Sequence, residues 1–172
     1  MKHIFLVFLF LSFTAVAADY PLKSGDGTYT VSVLVKKVHS TSTDVKGKVS
    51  CPETDCEFLL AVPVKTFTSS DSNRDENMMM TVEAVKYPLA TAKGHLPKDV
   101  FLGKGKREMK AEVTFHNITK VYDITLSGTS PQNMTAEFVL KLTDHKVERP
   151  SLFGVSVDDE VPMVFHLNWS AP

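Results

Sequence analysis

Hydrophobic and polar residues alternate with a period of two along most of this chain. Between Met134 and Leu142 every second side chain is apolar, whereas Thr135, Glu137 and Lys141 lie on the opposite face. Similar patterns occur in segments 29–35, 58–64, 109–115, 122–126 and 161–169, with shorter candidates at 45–50 and 89–96. Such alternation is typical of antiparallel strands with one dry face, so the sequence predicts about eight strands.

Turn-forming residues separate the predicted strands. They stand at 25–27 (Gly-Asp-Gly), 103–105 (Gly-Lys-Gly), 117 (Asn), 130–133 (Ser-Pro-Gln-Asn) and 157–159 (Val-Asp-Asp). Strands spaced in this way indicate a barrel or a sandwich. Several candidate strands run for nine or more residues, which favours a barrel.

One segment, 72–85, departs from the alternation. Ser72 and Asp75 have the spacing of a helix capping box, and the following apolar positions Met78, Val82 and Val85 fall on one helical face. Pro88 disfavours helical geometry at Tyr87. The pattern predicts one short helix, about 73–85, inserted between two strands.

The N-terminal residues indicate export. Lys2 and His3 are followed by an apolar run at 4–13 and then by small residues around Ala17 and Ala18. We expect a signal peptide, residues 1–18, cleaved after Ala17 or Ala18, and a single domain at 19–172 that is periplasmic or secreted. An uncleaved anchor is the alternative, but the run is shorter than the roughly 20 residues of a spanning helix.

The charge of the mature chain argues against two classes of partner. Without Lys2, 18 basic side chains face 20 acidic ones, a net charge of −2. Nucleic-acid binding requires a basic face, and membrane-surface attraction of the polybasic type requires a basic cluster. We therefore predict no nucleic-acid partner and no stable membrane insertion.

Two cysteines, Cys51 and Cys56, enclose the sequence PETD. Export favours a disulfide between them, which would staple a hairpin tip. The alternative is a redox pair, for which two intervening residues rather than four are usual.

The sequence offers little evidence for catalytic groups. Asp75 and Glu76 are adjacent, so on a helix they would point about 100° apart and would not converge on one substrate. The five mature histidines show no metal-ligand spacing, although a metal site assembled from separate strands stays open. There is no nucleophile elbow, phosphate loop or dinucleotide fingerprint, and we predict no catalytic group, metal or cofactor.

The interior of the predicted barrel is ambiguous. An eight-stranded barrel is just wide enough to be filled by side chains or to hold one small ligand. The chain has seven Met and eleven Phe residues, and methionine adapts to varied apolar partners. The residue pattern alone leaves a packed core and a cavity equally open.

Three segments carry a family resemblance. They are SSDSNRDENMMMTVEAVKYPLATAKG (69–94), VTFHNITKVYDITL (113–126) and VERPSLFGVSVDDEVPMVFHL (147–167). Together, over about 27–170, they resemble the YceI-like family of exported, lipocalin-like, polyisoprenoid-binding proteins. The matching residues are Arg74, Asp75, Glu76, Tyr87, Pro88, His116, Thr119, Lys120, Arg149, Phe153, Gly154, Asp159, Glu160 and Val161. The chain departs from the family pattern at Asn77, where His is usual, at Asn117, where Gly is usual, at Pro150, and in having the cysteine pair.

The resemblance implies an all-β fold with one short inserted helix, an extended eight-stranded antiparallel lipocalin-like β-barrel. Its tunnel would hold a long isoprenoid or other long-chain lipid, with a quinone-type molecule as one candidate, and the protein would act as a carrier or sequestering protein. Strand parity then predicts the lining residues Phe58, Leu60, Met78, Met79, Met109, Phe115, Phe138, Leu140, Met163, Phe165 and Trp169. Arg74 or His116 would supply a polar mouth.

Two other classes of function remain as alternatives. The first is an enzyme acting on a hydrophobic substrate, with Asp75, Glu76 or a histidine as its acid or base. The second is a solid-core structural or partner-binding barrel. A homodimer is left open by the sequence.

Overall fold

The computed structural model describes residues 17–33, 35–152 and 154–172. The predicted signal peptide lies, up to residue 16, outside these residues and stays a prediction. Phe153, which the family resemblance matches, also lies outside them.

The described residues form eleven strands and two short α-helices. The strands are β1 Ala18–Val33, β2 Lys36–Ser42, β3 Lys46–Cys51, β4 Asp55–Pro63, β5 Leu89–Pro97, β6 Arg107–Phe115, β7 Ile118–Ser130, β8 Asn133–Lys141, β9 Ser151–Leu152, β10 Val155–Ser156 and β11 Glu160–Trp169. The helices are α1 Ser72–Thr81 and α2 Lys98–Leu102, with 3₁₀ turns at Val64–Thr66 and Thr143–His145. None of these helices is long and apolar enough to cross a membrane.

Nine strands form one antiparallel sheet that closes on itself through β1 and β11. β2 and β3 run along β1 in one shared register, with Val38 opposite Val31 and Val49 opposite Tyr20. β2 and β3 therefore occupy a single strand position in the barrel. The result is a closed antiparallel barrel with eight strand positions, which confirms the predicted fold.

The inward faces follow the predicted parity. Even-numbered residues of β4 and β8 point inward, as do odd-numbered residues of β6 and β11, and these are the apolar positions of each strand. A closed barrel has one interior, so a strand with one apolar face fits it with only that face inward, and a register shift of one residue would turn this face to solvent. Alternation is thus what places the apolar surface inside.

Two local predictions in the first strand are wrong. Residues 25–27, predicted as a turn, lie within β1, where Gly27 pairs with Phe165 of β11. A Cβ at Gly27 would lie only 2.3 Å from the Phe165 ring, so this glycine makes room for an aromatic ring. Conversely, the alternating run that continues past Val33 folds back as the β1–β2 hairpin, which leaves Val35 exposed at the turn rather than on the inner face.

The inserted helix exists but begins and ends differently from the prediction. Asp71, not Ser72, is the N-cap residue, and its side chain accepts a hydrogen bond from the Arg74 backbone N–H at 3.2 Å. Asp75 accepts a hydrogen bond from the Ser69 backbone N–H at 2.9 Å, so both carboxylates satisfy backbone donors near the start of the helix. The helix ends at Thr81, because Glu83 has a positive φ of 47°. Val85 is fully exposed and is not part of the buried helical face.

The connections give the two ends of the barrel different structures. The β1–β2 hairpin, the 64–88 segment with α1, the turn at 116–117 and the 142–159 segment lie at one end. The β3–β4 hairpin, α2 and the turn between β7 and β8 lie at the other. Helix α2, which sequence analysis did not predict, places Phe101 in the core, where its ring packs edge-on against Tyr20 at 5.0 Å.

The predicted disulfide between Cys51 and Cys56 is present at the tip of the β3–β4 hairpin. Both cysteines are fully buried and belong to the main apolar cluster, together with Phe101 and Trp169. The bond therefore joins the two strands at the hairpin tip, and the buried cysteine side chains pack in the apolar cluster that also contains Phe101 of α2.

Reduction of this disulfide is expected to lower the free energy of unfolding by about 2 kcal/mol, because the short loop gains conformational freedom in the unfolded chain. Urea unfolding of the oxidised and reduced protein measures the difference. The Cys51→Ala/Cys56→Ala variant is the control, since its unfolding must not respond to reductant. Equal stability of the oxidised and reduced wild-type protein would contradict the expectation.

Candidate functional site

The barrel encloses a cavity of about 530 Å³. This volume falls within the range of about 300–1,000 Å³ that is usual for small-molecule sites. Phe58, Ala92, Phe138 and Phe165 point inward, yet each is only partly buried, since part of its surface faces the cavity. The interior is therefore hollow, which decides the alternative that the sequence left open.

Most of the sequence-predicted lining residues meet around this cavity. The ones that line it are Phe58, Leu60, Met78, Met109, Phe115, Phe138, Leu140, Met163, Phe165, Trp169 and Arg74. Two others do not. Met79 lies next to Met78 but about 100° further round the helix, and it packs on a second apolar cluster that contains Val82, Ala84 and Val147. His116 lies in the turn between β6 and β7.

Small and branched residues that were not predicted as lining complete the cavity wall. Among them are Ala90 and Ala92 on β5, Ala111 on β6 and Ala136 on β8. Ala111 and Ala136 stood on the predicted inner faces, but the prediction favoured bulky side chains. Their positions in the alternating pattern already mark them as inward-facing, because the pattern does not depend on side-chain size.

One end of the cavity is closed by aromatic packing. Trp169 and Phe101 lie edge to face with ring centroids 6.2 Å apart, and both are almost completely buried. Leu96 also lines this region and is buried with them in the main apolar cluster. The cavity thus ends in a purely hydrocarbon and aromatic surface beside α2.

The polar side chains of the cavity lining lie at the other end. Tyr29, Lys36, Arg74, Asn77 and Thr81 are the polar side chains that reach the lining near α1 and the β1–β2 hairpin, together with Thr91 of β5. Burial raises the pKa of the Tyr29 hydroxyl, which keeps this group a neutral hydrogen-bonding partner. Arg74 forms an ion pair with Asp71 at 3.3 Å and remains partly exposed. We call this end the mouth.

His116 anchors the segment that follows α1. Its Nε2 lies 2.8 Å from the Glu83 carboxylate, and its Nδ1 donates to the backbone carbonyl of His145 at 2.9 Å. Its ring also packs edge-on against Tyr87, with centroids 4.3 Å apart. The hydrogen bond from His116 lowers the pKa of Glu83. His116 therefore positions the inserted segment on the barrel and does not line the mouth.

His145 forms a buried polar site that sequence analysis missed. Its Nδ1–H donates to the carbonyls of Phe115 and Ile118, both at 3.0 Å, and its Nε2 accepts from the Tyr122 hydroxyl at 2.9 Å. Burial lowers the pKa of His145, so the ring is neutral. The ring is fully buried and does not reach the cavity lining, which assigns it a structural role. No local sequence pattern marks this histidine, because its partners come from the neighbouring β6–β7 hairpin.

The groups suited to acid–base chemistry lie outside the cavity. Among the described residues, the lining contains no carboxylate and no imidazole. Asp75 is engaged by Ser69, and Glu76 is exposed on α1. Within the described part of the chain, no three His, Cys, Asp or Glu side chains come together in the manner of a metal site.

Solved structures share this architecture. A polyisoprenoid-binding domain from Saccharophagus degradans, implicated in plant cell wall breakdown, aligns with a TM-score of 0.66 and 16% identity over 89% of this chain and 98% of that one. BcnA of Burkholderia cenocepacia aligns with a TM-score of 0.67 and 16% identity, over 86% and 96%. No protein-family model and no curated protein matches the sequence. These likenesses show the fold, and it is the fold that the YceI-like resemblance implied.

Acid should destabilise the protein through His145. The unfolded chain protonates this histidine below its ordinary pKa of about 6.5, whereas the folded chain keeps it neutral, so unfolding takes up a proton. We expect the free energy of unfolding to fall as the pH drops from 7.5 through 6.5 to 5.5, with no such slope above pH 7.5. Urea unfolding at each pH measures it.

His145→Asn is the matched variant for this measurement, since the amide retains a donor near the Nδ1 position but does not titrate. Its stability should be lower than that of the wild type at pH 7.5 and should change less between pH 7.5 and 5.5. An unchanged slope in the variant would show that other groups cause the acid sensitivity.

Proposed function

We propose that this chain is an exported YceI-like protein that binds one long apolar, isoprenoid-like lipid inside its barrel and acts as a carrier or sequestering protein. The observation that carries the proposal is the cavity of about 530 Å³, whose wall is apolar except at one end. The polyisoprenoid-binding domain with the same fold supports the ligand class. The basic and apolar N-terminal segment supports export to the periplasm or beyond.

The energetics of an apolar tail suit such a site. Each buried methylene contributes roughly 0.8 kcal/mol, so about ten tail carbons would give roughly 8 kcal/mol before the costs of association. The wall offers such a tail aromatic and sulfur-containing side chains, including Phe58, Phe138 and Met109. Because these contacts are not directional, they accept an extended chain without a specific polar group along its length.

The two ends of the cavity orient an amphipathic ligand. The aromatic end near Trp169 offers a tail only apolar surface. The mouth offers the hydroxyl of Tyr29, the amide of Asn77 and the cations of Lys36 and Arg74. These are donors to oxygen atoms, so an oxygen-bearing head group, such as that of a quinone-type lipid, would lie at the mouth with its tail toward Trp169.

The enzyme alternative has weaker support. Acid–base catalysis requires a titratable group within hydrogen-bond reach of the substrate, and the described lining has neither a carboxylate nor an imidazole. The lining cation Arg74 and the phenol of Tyr29 are suited to binding a head group.

Native mass spectrometry of the protein purified from its own host tests the proposal. We expect an adduct that disappears after organic extraction and is identified as an isoprenoid or a quinone. The extracted protein should take up added geranylgeraniol at one molecule per chain. A clean mass before extraction, together with no uptake of geranylgeraniol afterwards, would refute the proposal.

Filling the cavity should abolish uptake. In Ala92→Phe the new ring points inward from β5 into the space proposed for the tail, so we expect geranylgeraniol to bind at least about tenfold more weakly. The fluorescence of Trp169, the only tryptophan of the chain, reports binding at the aromatic end.

Lys93→Phe is the control, because the neighbouring side chain points to solvent and should leave binding unchanged. Circular dichroism verifies that both variants fold. Equal affinity in Ala92→Phe and the wild type would place the ligand outside the cavity.

A further inference from the structure

Exposed apolar side chains occur on three separate elements at the mouth end of the barrel. Val35 is 96% exposed at the β1–β2 turn, and Val155 is 37% exposed on the β9–β10 hairpin. Met80 is 63% exposed on α1, and Val85, just after α1, is completely exposed. Single exposed apolar residues are ordinary on protein surfaces, but here four of them lie at the end of the barrel where an apolar cavity has its mouth. We call these four residues the rim.

The backbone holds two of the rim elements side by side. The Asp158 N–H donates to the carbonyl of Ser32 at 3.0 Å, which ties the chain after β10 to the end of β1. The Val157 N–H donates to the carbonyl of Pro150 at 2.9 Å and so closes the base of the β9–β10 hairpin. Val157 and Pro150 also line the cavity. The two hairpins therefore flank the mouth, with Val35 in the turn of the first hairpin and Val155 on strand β10 of the second.

Basic residues accompany the apolar ones. Lys36 and Lys37 follow Val35, and neither forms an ion pair with any described residue. Arg149 directly precedes the β9–β10 hairpin, where its guanidinium donates to the carbonyl of Val157 at 3.2 Å. The Val35 turn thus combines an exposed apolar side chain with two lysines that form no ion pair within the described part of the chain. This combination matches a membrane surface, where apolar groups enter the acyl boundary and ammonium groups meet anionic head groups.

We propose that the rim docks the barrel reversibly on an anionic phospholipid bilayer, with the mouth facing the lipid. This inference rests on the proposed function, because a membrane is where a long apolar cargo resides. An extended hydrocarbon tail is buried favourably both in the bilayer and in the cavity, and it loses this burial when it is released into water. Docking makes the acyl region of the bilayer and the cavity wall continuous, so the tail passes between them without crossing water.

Co-sedimentation with vesicles tests the docking directly. Purified wild-type protein should bind sucrose-loaded vesicles of phosphatidylglycerol and phosphatidylethanolamine at least about fivefold better than vesicles of phosphatidylcholine alone, and added salt should weaken this binding. Val35→Asp and, separately, Lys36→Glu/Lys37→Glu should each reduce binding at least about fivefold. The control is Leu59→Asp, because Leu59 is 51% exposed on the outer wall in the middle of β4, and this variant should bind as the wild type does.

Ligand delivery separates this inference from the proposed function. Val35→Asp should take up geranylgeraniol supplied in detergent as well as the wild type does, but should take it up several-fold more slowly from the anionic vesicles. If the wild type takes up geranylgeraniol from detergent yet does not sediment with vesicles, the docking inference fails and the proposed function stands. If it takes up none from either source, the proposed function fails.

Two further outcomes would also overturn the docking inference. One is equal loss of vesicle binding in Leu59→Asp, which would show that the effect of added negative charge is not confined to the rim. The other is a wild-type dimer in analytical ultracentrifugation that Val35→Asp converts to a monomer, combined with no vesicle binding. That result would assign the rim to a second copy of this chain.

Discussion

The pairing of β1 with β11 is the interaction on which the rest of the structure depends. It joins the first and last walls of the sheet from Leu22 opposite Trp169 to Tyr29 opposite Met163. Closure removes the free edges that an open sheet would present and converts eight amphipathic strands into one enclosed interior. The pairing has one irregularity, a register shift between Leu22 and Ser24, while the other edge of β1 pairs with β3 at its beginning and with β2 at its end. Without this seam the apolar inner faces would meet water rather than a cavity.

The features that sequence reasoning predicted correctly are those encoded by neighbouring residues. The alternation along β4, β6, β8 and β11 reports which side chains face inward, because the period of a strand is fixed at two. The errors arise where distant residues decide. Gly27 looks like part of a turn until Phe165 of β11 is seen lying over it. The β1–β2 hairpin bends at Val35 with no glycine, proline or asparagine at the bend. Helix α2 is too short to show any helical period, and the buried site of His145 draws on strands about thirty residues away.

The candidate site also combines features that could be predicted from the sequence with features that could not. Strand parity correctly placed nine predicted residues on the cavity wall, and Met78 and Arg74 of α1 also line it. The same parity marked Ala111 and Ala136, which were passed over because of their small size. Whether the barrel is hollow could not be predicted, since this depends on the volume that remains after all side chains have packed. The position of α1 was equally beyond the sequence. The Asp75 carboxylate holds the start of the helix through its hydrogen bond with the Ser69 backbone N–H. The Glu83 carboxylate holds the segment after the helix through its hydrogen bond with the His116 ring. The helix is thus anchored on both sides, so its place over the barrel end depends on residues outside the helix itself.

The hollow interior itself argues for a ligand. Protein cores normally pack with few voids larger than a water molecule, and residual apolar cavities lower stability in proportion to their volume. Here, alanines at 90, 92, 111 and 136 face the cavity, where larger apolar residues would fill it. A barrel selected only for stability would have gained from such replacements, so the small side chains indicate that the space itself is used. A ligand that occupies the cavity supplies the missing contacts and stabilises the folded state by mass action, so binding and folding favour the same closed barrel.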